Sequence, residues 1–163
     1  MKKVVVLLVM VLAFNLSNAQ ELSVNRVDEF SGKTIKMTKY YIAGTDYGDI
    51  KTSFVNIINP EKKASYNYIK IYPTVKDFGC AGSNKNYLIL LFDDGTKIKL
   101  DKDISDIDCK DYSESTFILQ DDVVDAIKNK TVKKIRFAQT EGYADYTVSG
   151  TYTLSQQINA LWN

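Results

Sequence analysis

LLFDDGTKIKL, residues 90–100, is the stretch from which the fold is read. Asp94-Gly95 sits between two apolar-rich runs, a strong hairpin signal, because a type I′ turn needs positive φ at both central residues. With a two-residue loop, Leu91 faces Ile98 and Ile89 faces Leu100, which makes one face wholly apolar. The other face pairs Phe92 with Lys97 and Leu90 with Lys99, where lysine stems cover apolar groups and the ammonium groups reach water. The expected hairpin has a core side through Ile89 and Leu91 and an amphipathic side through Leu90 and Phe92.

The two cysteines of the chain, Cys80 and Cys109, lie equally far on either side of Asp94-Gly95. Carried outward, the two-residue register sets them at a non-hydrogen-bonded position, where Cα atoms approach to about 4.5 Å and a disulfide can form. The segments CAGSNKN and DKDISDID read as loops, so the expectation is a structural disulfide that staples the base of the hairpin. In the chain-entropy picture such a bridge stabilises by about 3.6 kcal/mol before strain. With no C-x-x-C motif and no histidine, a redox or metal-binding pair is not indicated.

Further strand-like runs surround the hairpin: 23–30, 33–42, 53–58, 66–72, 115–119, 132–138 and 145–149. They are short, rich in Val, Ile, Thr, Tyr and Phe, and several are bounded by turn pairs such as Ser31-Gly32 and Asn59-Pro60. No alternation of strand and long helix suggests a parallel sheet. DDVVDAIKNK (121–130) has acidic residues at its start, lysines at its end, and Val123, Val124 and Ile127 on one helical face. TLSQQINALWN (153–163) places Leu154, Ile158, Leu161 and Trp162 on one stripe with Thr153 as N-cap. Lacking a basic face, that stripe reads as packing on the sheet rather than on a membrane. The predicted fold class is mainly β (α+β): an antiparallel β-sandwich or strongly curved sheet with two short helices packed on it.

The N-terminus MKKVVVLLVMVLAFNLSNAQ combines Lys2 and Lys3, an apolar core from Val4 to Phe14, and Ser17 and Ala19. This is the layout of a secretory signal peptide over residues 1–19, cleaved after Ala19. The apolar run is too short for a membrane span, which takes about 20 residues. Residues 20–163 then form one β-rich domain of 144 residues, with no membrane span, repeat or linker in the sequence. Loss of Lys2 and Lys3 leaves 19 basic and 20 acidic residues, a net charge of −1. That balance, with no basic stripe in the sequence, gives no case for nucleic acid.

The chain has no histidine. Ser-His-Asp and Cys-His mechanisms and His-bearing zinc sites are therefore excluded. Asp101, Asp103, Asp106 and Asp108 cluster with Asp111 in one acidic segment that could offer oxygen ligands to calcium. The spacing fails the EF-hand pattern and Lys102 and Lys110 offset the charge, so a solvated loop is the favoured reading. Eleven tyrosines are many for this length, and Tyr66, Tyr68 and Tyr72 share one face of a strand with Lys70. Such a face could stack on sugar rings or form a protein interface. Glu29, Glu114 and Glu141 are available for carboxylate-based hydrolysis, although nothing in the sequence singles one out. Asn129-Lys130-Thr131 is a formal glycosylation sequon.

The signal ending NAQ, the early VDEFSGK, the central LLFDDGTKIKL flanked by single cysteines, and the late VKKIRF before a C-terminal helix together resemble small exported proteins of Bacteroidetes. The resemblance implies a periplasmic or secreted location and carries over no catalytic residue. The functional expectation is a non-enzymatic binding or interaction module for a protein, peptide or glycan, with no cofactor. A hydrolase built on Asp and Glu, and a structural envelope component or protease inhibitor, are the alternatives. Oligomeric state is not legible in the sequence.

The disulfide expectation has a direct test. The intact mass of the oxidised exported protein should lie about 2 Da below that of the reduced protein, the two hydrogens lost on S–S formation. Free thiols in unreduced protein from its native host contradict the bridge.

Overall fold

The computed structural model describes residues 22–45, 48–74, 86–101, 114–139, 142–149 and 153–162. They form ten strands and two helices: β1 Leu22–Val27, β2 Thr34–Thr38, β3 Tyr41–Gly44, β4 Ile50–Asn59, β5 Ala64–Pro73, β6 Tyr87–Phe92, β7 Lys97–Leu100, β8 Ser115–Leu119, α1 Asp121–Asn129, β9 Val132–Gln139, β10 Gly142–Thr147 and α2 Leu154–Asn159. The larger sheet runs β1-β2-β4-β5-β8, with β3 also paired to β4; the smaller runs β10-β9-β6-β7. Every pairing is antiparallel. This is the predicted mainly β class, with two sheets face to face, two short helices and, among the described residues, no closed barrel.

Alternation along each strand sorts side chains between core and outside. Ile69 and Ile71 on β5, Phe54 on β4 and Phe117 on β8 point inward from the larger sheet. Leu88, Leu90, Phe92, Ile135, Phe137 and Tyr146 answer them from the smaller. The rings of Phe117 and Phe137 meet edge to face across the two sheets, with centroids 6.3 Å apart.

The hairpin that opens the sequence reading forms, but in a different register. Leu88 faces Leu100, Ile89 faces Lys99, Leu90 faces Ile98 and Leu91 faces Lys97. The cause is the turn. Phe92 N–H donates to the Thr96 carbonyl at 2.9 Å and Gly95 N–H donates to the Phe92 carbonyl at 3.0 Å, which makes Asp93, Asp94 and Gly95 a three-residue loop. Gly95 takes the left-handed conformation (φ 83°) while Asp94 does not, so the turn is a type I turn with a bulging glycine rather than type I′. The Asp94 carboxylate accepts from Thr96 N–H at 2.9 Å and pairs with Lys130 at 2.8 Å. One residue of slip exchanges the two faces of a strand. Leu88, Leu90 and Phe92 therefore enter the core, and Ile89 and Leu91 lie on the outer, lysine-bearing face. The register argument for Cys80 and Cys109 falls with the two-residue turn; both cysteines lie outside the described residues.

The run 33–42 is not one strand. It breaks into β2 and β3, which pair with opposite ends of β4. Thr38 makes the break possible. Its hydroxyl accepts from Phe54 N–H at 2.9 Å, and its carbonyl accepts from the Ser53 hydroxyl at 2.7 Å, giving buried β4 groups partners at the gap between strands. An antiparallel bridge between Gly44 and Val148 joins the two sheets at one edge. A Cβ on Gly44 would stand 2.8 Å from both the Thr147 carbonyl oxygen and the Tyr146 Cβ, so the approach requires glycine.

Both predicted helices form. Thr153 caps α2 through a reciprocal capping box with Gln156. Leu154, Ile158 and Leu161 are buried in the core, whereas Trp162 is 44 % exposed, with the Lys128 ammonium 3.6 Å from its ring centroid. The second helix is fixed to the inner face of the larger sheet by Thr52, which donates to Gln157 Oε1 at 2.7 Å. Just beyond the helix, Lys36 donates to the Leu161 carbonyl at 2.9 Å. Ser155 ties it to α1 through the Lys128 carbonyl.

The register makes a quantitative prediction. Leu90→Ala should cost about 2–5 kcal/mol in urea denaturation, as expected for a fully buried leucine. Leu91→Ala should cost about 1 kcal/mol or less. The reverse order would restore the two-residue turn.

Candidate functional site

The larger sheet turns one face away from the core, and the odd–even alternation of β5 puts Tyr66, Tyr68, Lys70 and Tyr72 on it. The three tyrosines thus share a face, as their spacing predicts. Tyr66 lies opposite Ile57, Tyr68 lies between Val55 and Ile118, and Tyr72 lies opposite Lys51. Tyr66 is 42 % exposed and Ile118 36 %. At one end of the strand, Tyr66 and Tyr68 join Lys33, Ile57, Asn59 and Lys62 around a shallow depression of about 250 Å³.

Tyr72 belongs to a different group, about 13 Å along the strand from Tyr68. Its ring packs edge to face with Tyr40, centroids 6.4 Å apart. Tyr40 donates its hydroxyl to Glu114 Oε2, and Lys70 pairs with Glu114 Oε1 at 2.5 Å. Burial pushes the Tyr40 phenol well above its ordinary value, and the hydrogen bond to Glu114 adds to the shift because it favours the protonated form. Glu114 is thus held between a cation and a neutral donor. Sequence inspection names Glu114 without a role and misses Tyr40 as its partner, since they are far apart in the chain and meet only through β3–β4–β5–β8 pairing.

Of the acidic cluster, Asp101 is described and exposed at the end of β7, while Asp103, Asp106 and Asp108 lie outside the described residues. No group of three metal-ligating side chains occurs among the described residues. No helix among them is long and apolar enough to cross a membrane.

The outer face of the smaller sheet is the second surface with distinct chemistry. Its inner strand β6 presents Ile89 and Leu91 between Lys97 and Lys99 of β7 and Lys134 and Arg136 of β9. Arg136 grips Asp145 of the next strand through two hydrogen bonds of 2.6 Å each. That grip holds the Asp145 carboxyl below its usual range and the guanidinium above its own. Lys99 lies 4.8 Å from the Tyr87 ring centroid and Arg136 lies 4.3 Å from that of Tyr143. No basic stripe exists in the linear sequence; the fold assembles one from alternate residues of two strands.

No protein-family model, curated protein or solved structure matches the chain.

The phenols give a pH prediction. Tyr40, Tyr68 and Tyr146 all hold their protons above the ordinary value of 10.0, with burial the leading cause in each. An unfolded chain releases those protons near pH 10, so above it the folded state binds more protons and stability falls as pH rises. The Tm should decline above about pH 10, and Tyr40→Phe should make that decline shallower. An identical slope in Tyr40→Phe contradicts the assignment for Tyr40.

Proposed function

We propose that the chain is an exported, non-enzymatic binding module, periplasmic or extracellular, that takes a protein, peptide or glycan on the outer face of its larger sheet. The observation that carries this reading is the pairing of Tyr66 and Tyr68 around an open depression with an apolar wall (Ile57) and two flanking lysines. Tyrosine offers rigid amphipathic area at small entropic cost, suited to sugar C–H faces and to peptide side chains alike. Export is supported by the basic, apolar and small-residue order of residues 1–19. Binding without turnover is supported by the absence of histidine from the chain and by the engagement of Glu114 with Tyr40 and Lys70, which opposes a free general base on this face.

The test is a thermal-shift screen of the purified protein against oligosaccharides and cell-wall peptides. A ligand specific for the folded state adds about 2.7 kcal/mol at a hundredfold excess over its Kd. The ligand found should lose at least tenfold in affinity in Tyr66→Ala/Tyr68→Ala and keep its affinity in Tyr87→Ala, on the other sheet. Hydrolysis of the bound ligand, or full affinity in the double variant, overturns the reading.

A further inference from the structure

We propose that the outer face of the smaller sheet is a separate binding site for a linear acidic polysaccharide, its sugar rings resting on Ile89 and Leu91 and its carboxylates held by the lysines on either side. The inference does not rest on the function proposed for the larger sheet, which turns its own outer face the opposite way.

Charge is the first support. Among the described strand residues, Lys97, Lys99, Lys134 and Arg136 face outward with one carboxylate, Asp145, a sum of +3 on one face of a chain whose formal total is +1. Arg136 neutralises that carboxylate through its two hydrogen bonds, so Asp145 does not repel an incoming anion. Lys97, Lys99 and Lys134 are exposed.

Shape is the second. Ile89 and Leu91 floor a depression of about 160 Å³, with Lys97 on one wall and Lys134 and Arg136 on the other. Strands lie about 4.8 Å apart, so the cationic rows on β7 and β9 stand about 10 Å from each other, and successive cations along a row are about 7 Å apart. A flat aliphatic floor between two cationic rows suits a chain of rings with apolar C–H faces and anionic edges. A uronic acid polymer has that form.

Other polyanions fit less well. Single-stranded nucleic acid relies on open aromatic faces for base stacking. Here the Tyr87 and Tyr143 rings each carry a cation over one face and so fix Lys99 and Arg136 in place. An anionic bilayer rewards apolar side chains that project past the cations, and Ile89 and Leu91 are half-buried on the floor instead.

The experiment measures binding of polygalacturonate to the purified protein, with dextran as the neutral control, by calorimetry at 0.15 M and 1 M NaCl. Polygalacturonate should bind at low salt and dextran should not. Affinity should fall at least tenfold at 1 M NaCl, where the screening length shrinks to about 3 Å. Lys97→Gln/Lys134→Gln should cost at least tenfold at 0.15 M with an unchanged Tm, since both side chains are exposed. Lys62→Gln on the opposite sheet, and the Tyr66→Ala/Tyr68→Ala protein, should bind as the wild type does. Ile89→Ala should weaken binding at both salt concentrations, which a purely electrostatic patch would not show. The proposal is overturned by absence of polygalacturonate binding or by equal affinity in Lys97→Gln/Lys134→Gln. Tighter binding of single-stranded DNA or of phosphatidylglycerol vesicles than of polygalacturonate also overturns it.

Discussion

The conformation of Gly95 sets the arrangement on which the smaller sheet depends. In the left-handed region it closes a three-residue loop, and the bonds from Phe92 N–H to the Thr96 carbonyl and from Gly95 N–H to the Phe92 carbonyl set β6 against β7 with Leu90 opposite Ile98. Because β6 also pairs with β9, the same choice aligns Leu90 with Ile135 and Leu88 with Phe137. Those residues form the smaller sheet's share of the core. A two-residue loop would put Ile89 and Leu91 inside, opposite Leu100 and Ile98, and turn Leu90 and Phe92 out to the lysine-bearing face. The extra residue in β9, a register shift between Leu91 and Phe92, lies at the same end, next to the turn. Lys130 just past α1 secures that end through Asp94, and Asp93 N–H donates to the Thr131 carbonyl at 3.0 Å.

A second constraint acts where the sheets join. Gly44 lets β3 approach the end of β10 at backbone distance, and Thr38 supplies the hydrogen bonds that β4 would otherwise lose where β2 stops and β3 begins. Polar side chains also reach the inner face of the larger sheet, and those of Asn56 and Thr52 find partners there. Asn56 donates to Ser65 and to Asn67 at 2.7 Å each, and Thr52 donates to Gln157. The Thr52–Gln157 bond fixes the position of α2 on β4 more narrowly than apolar burial would, because hydrogen bonds have direction.

The result is a sandwich with two chemically different outer faces. The larger sheet carries tyrosines and aliphatic residues, with Glu114 committed to Tyr40 and Lys70. The smaller carries two cationic rows over an aliphatic floor, with Asp145 committed to Arg136. In both, the acidic group is neutralised by a fixed partner.

The sequence by itself determined the β class, most strands, both helices, the capping role of Thr153 and the shared face of Tyr66, Tyr68 and Tyr72. Each follows from a local rule: alternation with period two, helical spacing of apolar residues, or a cap next to the turn it caps. Tertiary structure decided what depends on distant partners. Type I′ and bulged type I turns both accept Asp-Asp-Gly, and which leucines of β6 are buried is settled by the whole sheet that β6 must match. Thr38 breaks the run 33–42 because Ser53 and Phe54 are there to bond it. Trp162 stays half in solvent because the chain leaves the helical path after Asn159 and Lys128 covers the ring. The pairing of Tyr40 with Glu114, and the gathering of Lys97, Lys99, Lys134 and Arg136, arise only when strands far apart in the chain become neighbours, since a linear sequence records spacing along a strand and not the order of strands beside it.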